Sequence, residues 1–281
     1  MSTINLRNLI SRSLTGLVFI AAIIGSILFS RVIFAILFLG VALVALNEFF
    51  SLLNAGKKIK VQVVTGSLAL VLLYSSIALV ALDYAGKQML LLNLLIPVFI
   101  FIRELYQKNE TPLQNIAMTL LGLIYIGLPL AILNMFFSTG PSSSEYHQGV
   151  LLGFFIIIWT YDSFAYLTGI LLGKHRLFPR ISPKKSWEGT IGGFIFGLLA
   201  SFILSKFFIE FDLINWLIIA AIIMIFGTFG DLSESMLKRS LNIKDSGNIL
   251  PGHGGLLDRF DAVLLATPAV FVYLNLIHYF K

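Results

Sequence analysis

The fold is decided by LINWLIIAAIIMIFGTFG, residues 213–230, which runs into DLSESMLKRSLNIKDSGNILPGHGGLLDRFD, residues 231–261, and then into AVLLATPAVFVYLNLIHYF, residues 262–280. Two apolar runs of membrane-crossing length enclose a polar segment. That segment holds Asp231, Glu234, Asp245, Asp258 and Asp261 beside Lys238, Arg239, Lys244 and Arg259. It is therefore tethered to a membrane surface at both ends, which fixes its height against the bilayer.

The same alternation extends outward along the chain. Apolar residues make up 58% of the sequence, charged residues 12%, and the mean hydropathy is +0.92, far from the balance of a soluble domain. Apolar stretches recur at about 12–29, 32–53, 63–82, 88–105, 114–137, 149–173, 189–209, 213–230 and 262–280. The expected fold is all-α: a polytopic integral membrane helical bundle of about nine transmembrane helices. Only Glu210, Phe211 and Asp212 separate the seventh and eighth runs, so that pair forms a tight hairpin.

Charge placement orients the bundle. With nine spans, every Lys and Arg falls on the side of the N-terminus except Arg31, Lys87, Lys206 and Lys281. Basic residues mark the cytoplasmic side, so the N-terminus and the Asp231–Asp261 segment are expected in the cytoplasm of a multi-pass cell-membrane protein, with Lys281 outside. Leu6–Ser30 has the basic start and apolar run of a secretory signal. It lacks a small-x-small cleavage site, and another apolar run follows at once, so it is expected to stay as the first helix. The net charge of +6 follows the cytoplasmic loops and suits anionic lipid and nucleotide phosphate; it gives no reason to invoke nucleic acid. Cysteine is absent, which excludes thiol chemistry, disulfides and thiolate metal sites. His147, His175, His253 and His278 are dispersed and suggest no zinc site.

The most loop-like composition, Thr139–Gln148, divides residues 1–140, a scaffold of membrane helices, from residues 141–281, a catalytic membrane region with cytoplasmic loops. Glu48, near the cytoplasmic end of the second run, reads as structural, within reach of the interface or of Lys57 or Lys58. Gly122, Gly127 and Pro129 are expected to loosen or kink the fifth span. Gly189, Gly193 and Gly197 form a small-residue stripe for helix packing.

Chemistry concentrates in three places. In the polar segment, Asp231 and Glu234 lie three apart, as do Asp258 and Asp261, so each pair shares a helix face. Carboxylates so placed repel one another unless a cation lies between them, and oxygen ligands suit a hard ion such as magnesium. The surrounding Lys and Arg residues exceed what local pairing requires, which points to phosphate. Gly252, Gly254 and Gly255 allow the close backbone approach of a phosphate-cradling loop. In the sixth run, Asp162 falls at membrane depth beside Tyr161, Ser163 and Tyr166, where a carboxylate needs a partner and suits the wall of a polar cavity. After Gly173 comes a basic tract whose Ser182 and Ser186 flank Lys184 and Lys185 just before a helix start, an arrangement suited to an anion.

Read in order, Ser235-x-Leu237-Lys238-Arg239, Lys244-Asp245-x-Gly247 and Leu250-Pro251-x-His253-Gly254-Gly255-Leu256-x-Asp258-Arg259-Phe260-Asp261 closely resemble the motif of the phosphatidate cytidylyltransferases, also called CDP-diacylglycerol synthases. Asp162, Ser182–Ser186, Glu188 and Gly189 resemble the second region of that family, so the resemblance covers roughly 150–261. It implies a membrane enzyme that condenses CTP with phosphatidic acid, releasing pyrophosphate and leaving CDP-diacylglycerol. Magnesium would lie between Asp231 and Asp258, with room for a second cation, and Asp261 would support it as a ligand or orient Arg259. Lys238 and Arg239 would offset phosphate charge in the reaction. Ser182, Lys184, Lys185, Ser186, Lys244, His253, Gly254, Gly255, Arg259 and Asp162 would face the substrates. Two other readings stay open: a CTP-dependent lipid kinase, which releases CDP, and a transporter with Asp162 on its path, against which the lack of an internal repeat weighs. Oligomeric state is left open, a homodimer included.

Overall fold

The computed structural model describes residues 6–55, 58–138, 148–241, 243, 247 and 255–279, the side chains of 6–15, 278 and 279 excepted. The chain is helical almost throughout: α1 (Leu6–Phe29), α2 (Arg31–Ala55), α3 (Val63–Ala81), α4 (Leu95–Leu105), α5 (Pro112–Gly122), α6 (Leu128–Ile132), α7 (Gln148–Leu172), α8 (Trp187–Phe207), α9 (Leu213–Ser240) and α10 (Leu257–Tyr279). The exception is a hairpin of β1 (Arg176–Phe178) and β2 (Ser182–Ser186), paired antiparallel. Among the described residues, eight helices are long and apolar enough to cross a membrane, and Gly16–Phe29 of α1 adds a shorter apolar one. Large apolar side chains such as Phe29, 84% exposed, and Leu105, 83% exposed, cover the outer faces, as a lipid-facing surface requires.

Two helices depart from the apolar runs that announced them. α9 does not stop at Asp231 but continues to Ser240, and α10 begins at Leu257, ahead of Asp258. The α9 extension consists mainly of good helix formers, is stapled by an i,i+4 pair between Glu234 and Lys238 at 2.8 Å, and ends with Lys238 and Arg239 at the negative end of the helix dipole. The expected kink in the fifth span takes a specific form. α5 passes through a π-helical turn, Leu123–Gly127, into α6, with Pro129 directly after it, so a π turn and a proline, both ordinary causes of helix kinks, fall together.

The chain forms two compact units. One contains Met1–Asn134 and Leu241–Phe260; the other contains Met135–Ser240 and Asp261–Lys281.

The first unit has an aromatic core in which Phe34 stacks on Phe38 at 4.2 Å between centroids and Phe260 meets Phe38 edge-on at 5.7 Å. A polar network that the sequence did not announce organises the connection before α3. Buried Glu104 accepts hydrogen bonds from the side-chain amides of Gln62 at 2.7 Å, Asn115 at 2.8 Å and Asn109 at 3.0 Å. Asn115 and Thr119 in turn accept the backbone N–H groups of Lys60 and Gln62. A buried carboxylate is tolerated because donors surround it.

In the second unit the glycine stripe packs as its spacing foretells: Gly189 lies against Gly169, Gly193 against Tyr161 and Ala165, and Gly197 against Met224. Phe164 and Phe196 stack at 3.7 Å between centroids across α7 and α8. A closer approach lies between α9 and α10, where Gly227 faces Ala262 and Gly230 faces the backbone of Asp261. A Cβ on Gly230 would collide with that backbone, so only glycine brings the residue before Asp231 against Asp261.

Candidate active site

In the second unit, three elements bring charge together. α7 carries Asp162, β2 carries Lys185, and α9 carries Asp231 one residue after the Gly230 crossing. The pairing of β1 with β2 is irregular between Ser182 and Ser186, and there the two lysines part: Lys184 is exposed, while Lys185 turns inward and is half-buried. Lys185 Nζ lies 2.5 Å from Asp231 Oδ2. Burial acts to lower the Lys185 pKa, but the Asp231 carboxylate outweighs it and holds the amine above its ordinary value, so it stays charged at neutral pH. Asp162 and Asp261 also act electrostatically on Lys185, which supplies Asp162 with the partner that its depth in the sixth span demands. The other Asp231 oxygen accepts from Ser235 Oγ at 3.3 Å.

The carboxylates outnumber that lysine. Asp231, Glu234 and Asp162 all repel Asp261, whose Oδ1 accepts only its neighbour's N–H, from Ala262 at 2.7 Å, among the contacts described. Lys238, expected to offset phosphate charge, pairs with buried Glu234. Tyr161 and Thr228 share a hydroxyl hydrogen bond of 2.5 Å and close the wall between α7 and α9.

The basic hairpin beside this cluster is braced at its base. Ser186 is buried as the N-cap of α8, its Oγ accepting the Gly189 N–H at 3.1 Å. Glu188 reaches back to the Lys174 and His175 N–H groups at 3.1 and 3.2 Å and to His175 Nδ1 at 2.6 Å. Between Ser186 and Glu188 the hairpin is locked in place, leaving Ser182 half-buried and Lys184 exposed. An open pocket at its base is lined by Lys174, Arg176, Trp187 and Ile191 among others, mixing positive charge with apolar surface.

The first unit holds the other end of the polar segment. Asp258 folds back so that Oδ2 accepts the Gly255 N–H at 3.1 Å, and Arg259 is exposed in the same helical turn. Glu48, expected near Lys57 or Lys58, has another role: its two oxygens accept the N–H groups of Leu256 at 3.0 Å and Leu257 at 2.9 Å. Lys244, His253 and Gly254 lie outside the described residues.

Of the expected site residues, Asp162, Lys185, Asp231 and Asp261 thus share one cluster. Arg239 is exposed at the end of α9. Glu234, read from its spacing as sharing a helix face with Asp231, was not among the named site residues, and Gly230 escaped the sequence reading. Their signal was present, a glycine directly before an aspartate in an apolar run and a Glu four residues before a Lys. Among the described residues no three of His, Asp and Glu converge closely enough to hold a metal ion on their own. Asp231 and Asp261, brought side by side by the Gly230 crossing, are of the number and type that magnesium takes, since it keeps several waters and uses one or two carboxylates plus substrate phosphates.

The Cytidylyltransferase family profile matches residues 10–277. The phosphatidate cytidylyltransferase of Staphylococcus haemolyticus is 35% identical over 235 residues, covering 83% of this chain and 86% of that protein. Those of Staphylococcus saprophyticus and Staphylococcus aureus are 39% and 38% identical over 169 residues, covering 59% of this chain and 62% of each relative.

Proposed function

This chain belongs to the cytidylyltransferase family, and we infer that it transfers a cytidylyl group from CTP to phosphatidic acid, giving CDP-diacylglycerol and pyrophosphate. The observation that carries this reading is the Lys185–Asp231 pair set among Asp162, Glu234 and Asp261 at the polar end of a membrane helix. Such a site suits anionic substrates brought together at a bilayer surface.

The chemistry asks little of a base. A phosphate monoester has its second pKa near 6, so phosphatidic acid arrives with an ionised oxygen. That oxygen bonds to the α-phosphorus of CTP, the bond from the α-phosphorus to the bridging oxygen breaks, and pyrophosphate leaves with the electron pair. The work is to hold two anions together and offset the charge gathering on the leaving group. Lys185, charged and aimed inward, offers positive charge fixed before the reaction begins. Lys184 and the cations around the hairpin pocket gather phosphate from the exposed side. A bound magnesium ion would supply further electrostatic stabilisation of the phosphates. Asp231 and its neighbour Asp261 would hold that ion. Asp258 remains a ligand expected from the sequence, tested by whether Asp258→Asn changes the magnesium requirement.

The test of the reaction follows the label. With CTP labelled at the α-phosphate, the purified protein should place label in the lipid and release unlabelled pyrophosphate. Label appearing in free CDP, with phosphate moved to lipid, would make the protein a lipid kinase instead.

The same reading places the site in the cytoplasm, where CTP is made, and nine spans then put Lys281 outside. A reporter fused after Lys281 should give an external signal. A cytoplasmic signal would remove one span and reverse the argument from charge.

A further inference from the structure

We propose that Glu48 is a positioning residue for the transfer reaction, acting as the N-terminal cap of α10 from a distant part of the chain. The sequence at the start of that helix, Gly255-Leu256-Leu257-Asp258, offers no Ser, Thr or Asn to cap it. Helices without such a residue leave their first N–H groups without acceptors, which is costly for the buried donors found here. Gly255, Leu256 and Leu257 are all buried. Their N–H groups are accepted by two carboxylates: Asp258 takes Gly255, and Glu48 takes Leu256 and Leu257, one on each oxygen.

Three further features separate this contact from ordinary packing. Glu48 is only 5% exposed and lies on α2 beside buried Phe49 and Phe50, a place where an apolar side chain would fill space without the cost of desolvating a charge. Its negative charge sits at the positive end of the α10 dipole. At Gly247 an added Cβ would fall 2.7 Å from Glu48 Oε1, so the chain upstream of the helix also closes on this carboxylate. One side chain of the N-terminal helices therefore holds the polar segment at two backbone N–H groups, close to Gly247, and sets the first turn of α10, where Asp258 and Arg259 project.

The kinetic part of this inference rests on the proposed cytidylyl transfer; the structural part does not. Amide hydrogen exchange over residues 255–260 of the full-length protein, with Glu48→Gln and Glu48→Ala, reads the cap directly. Exchange should quicken in Glu48→Gln, which keeps the volume but only one acceptor oxygen, and quicken further in Glu48→Ala. Under the same conditions kcat per folded molecule should fall on the order of 10-fold or more with little change in the KM for CTP, the pattern of a displaced group rather than a lost binding contact. If Glu48→Ala does not fold, Glu48→Gln decides. Unchanged exchange in the variants overturns the cap, and quicker exchange with unchanged kcat overturns the positioning role. Wild-type protein that makes no CDP-diacylglycerol would sink the proposed reaction while leaving the exchange result standing.

Discussion

Purified Asp231→Asn protein should form CDP-diacylglycerol at about one-hundredth of the wild-type rate or less. The substitution keeps the size of the side chain and its hydrogen bond from Ser235, but removes the charge that faces Lys185 and that would hold a cation. If Asp231 and Asp261 serve one ion, Asp261→Asn should cost a similar factor, and the double variant little more than either alone, because groups acting as a unit do not add. The measurement is turnover by the two single variants and the double variant across a magnesium titration. Near-normal turnover of Asp231→Asn at ordinary magnesium would remove the metal proposal. Multiplying losses would mean that the two aspartates act separately.

The bundle was legible because membrane spans are written as long uninterrupted apolar runs, and each described long helix overlies one of them. What the runs could not show was where helices end when the sequence leaves the bilayer. The apolar run ends at Asp231 because hydropathy changes there, yet the backbone has no reason to unwind: as the spacing of Asp231 and Glu234 implied, α9 continues and carries Glu234 and Lys238 onward as an ion pair. Lys238 therefore reads as a phosphate contact in sequence and as a partner of Glu234 in the structure.

The site was half legible for a related reason. Carboxylates three apart announce a shared helix face, and Lys184-Lys185 announces positive charge, but neither spacing says which lysine turns inward. That follows from the irregular β1–β2 hairpin, where the register shift between Ser182 and Ser186 leaves Lys185 turned toward Asp231 and Lys184 outward. Likewise nothing near Glu48 in the sequence points to Leu256 and Leu257, more than two hundred residues away. Contacts of that separation belong to tertiary packing, and a single sequence gives them no local pattern.

The separation of the two lysines leads to a second large expected effect. Lys185→Gln should lower turnover by a factor on the order of 10², whereas Lys184→Gln, altering an exposed cation, should chiefly raise the KM for a phosphate-bearing substrate. Stability should change much less: a pair with both side chains partly open to solvent contributes about 1 kcal/mol or less. The pH dependence follows from the direction of the Lys185 shift. Asp231 raises its pKa in the folded protein, so the pair's contribution is complete below the unfolded value of about 10.4 and is lost only as pH rises through the higher folded value. Between about pH 6 and pH 9, then, the ratio of wild-type to Lys185→Gln turnover should stay flat, the lysine serving as a fixed charge throughout. A ratio that climbs steeply across that window would show Lys185 losing its proton to do chemistry as a base. Lys185→Arg completes the argument: it keeps the charge, so it should recover more turnover than Lys185→Gln if charge is what the site requires, and no more if the site requires an amine that titrates.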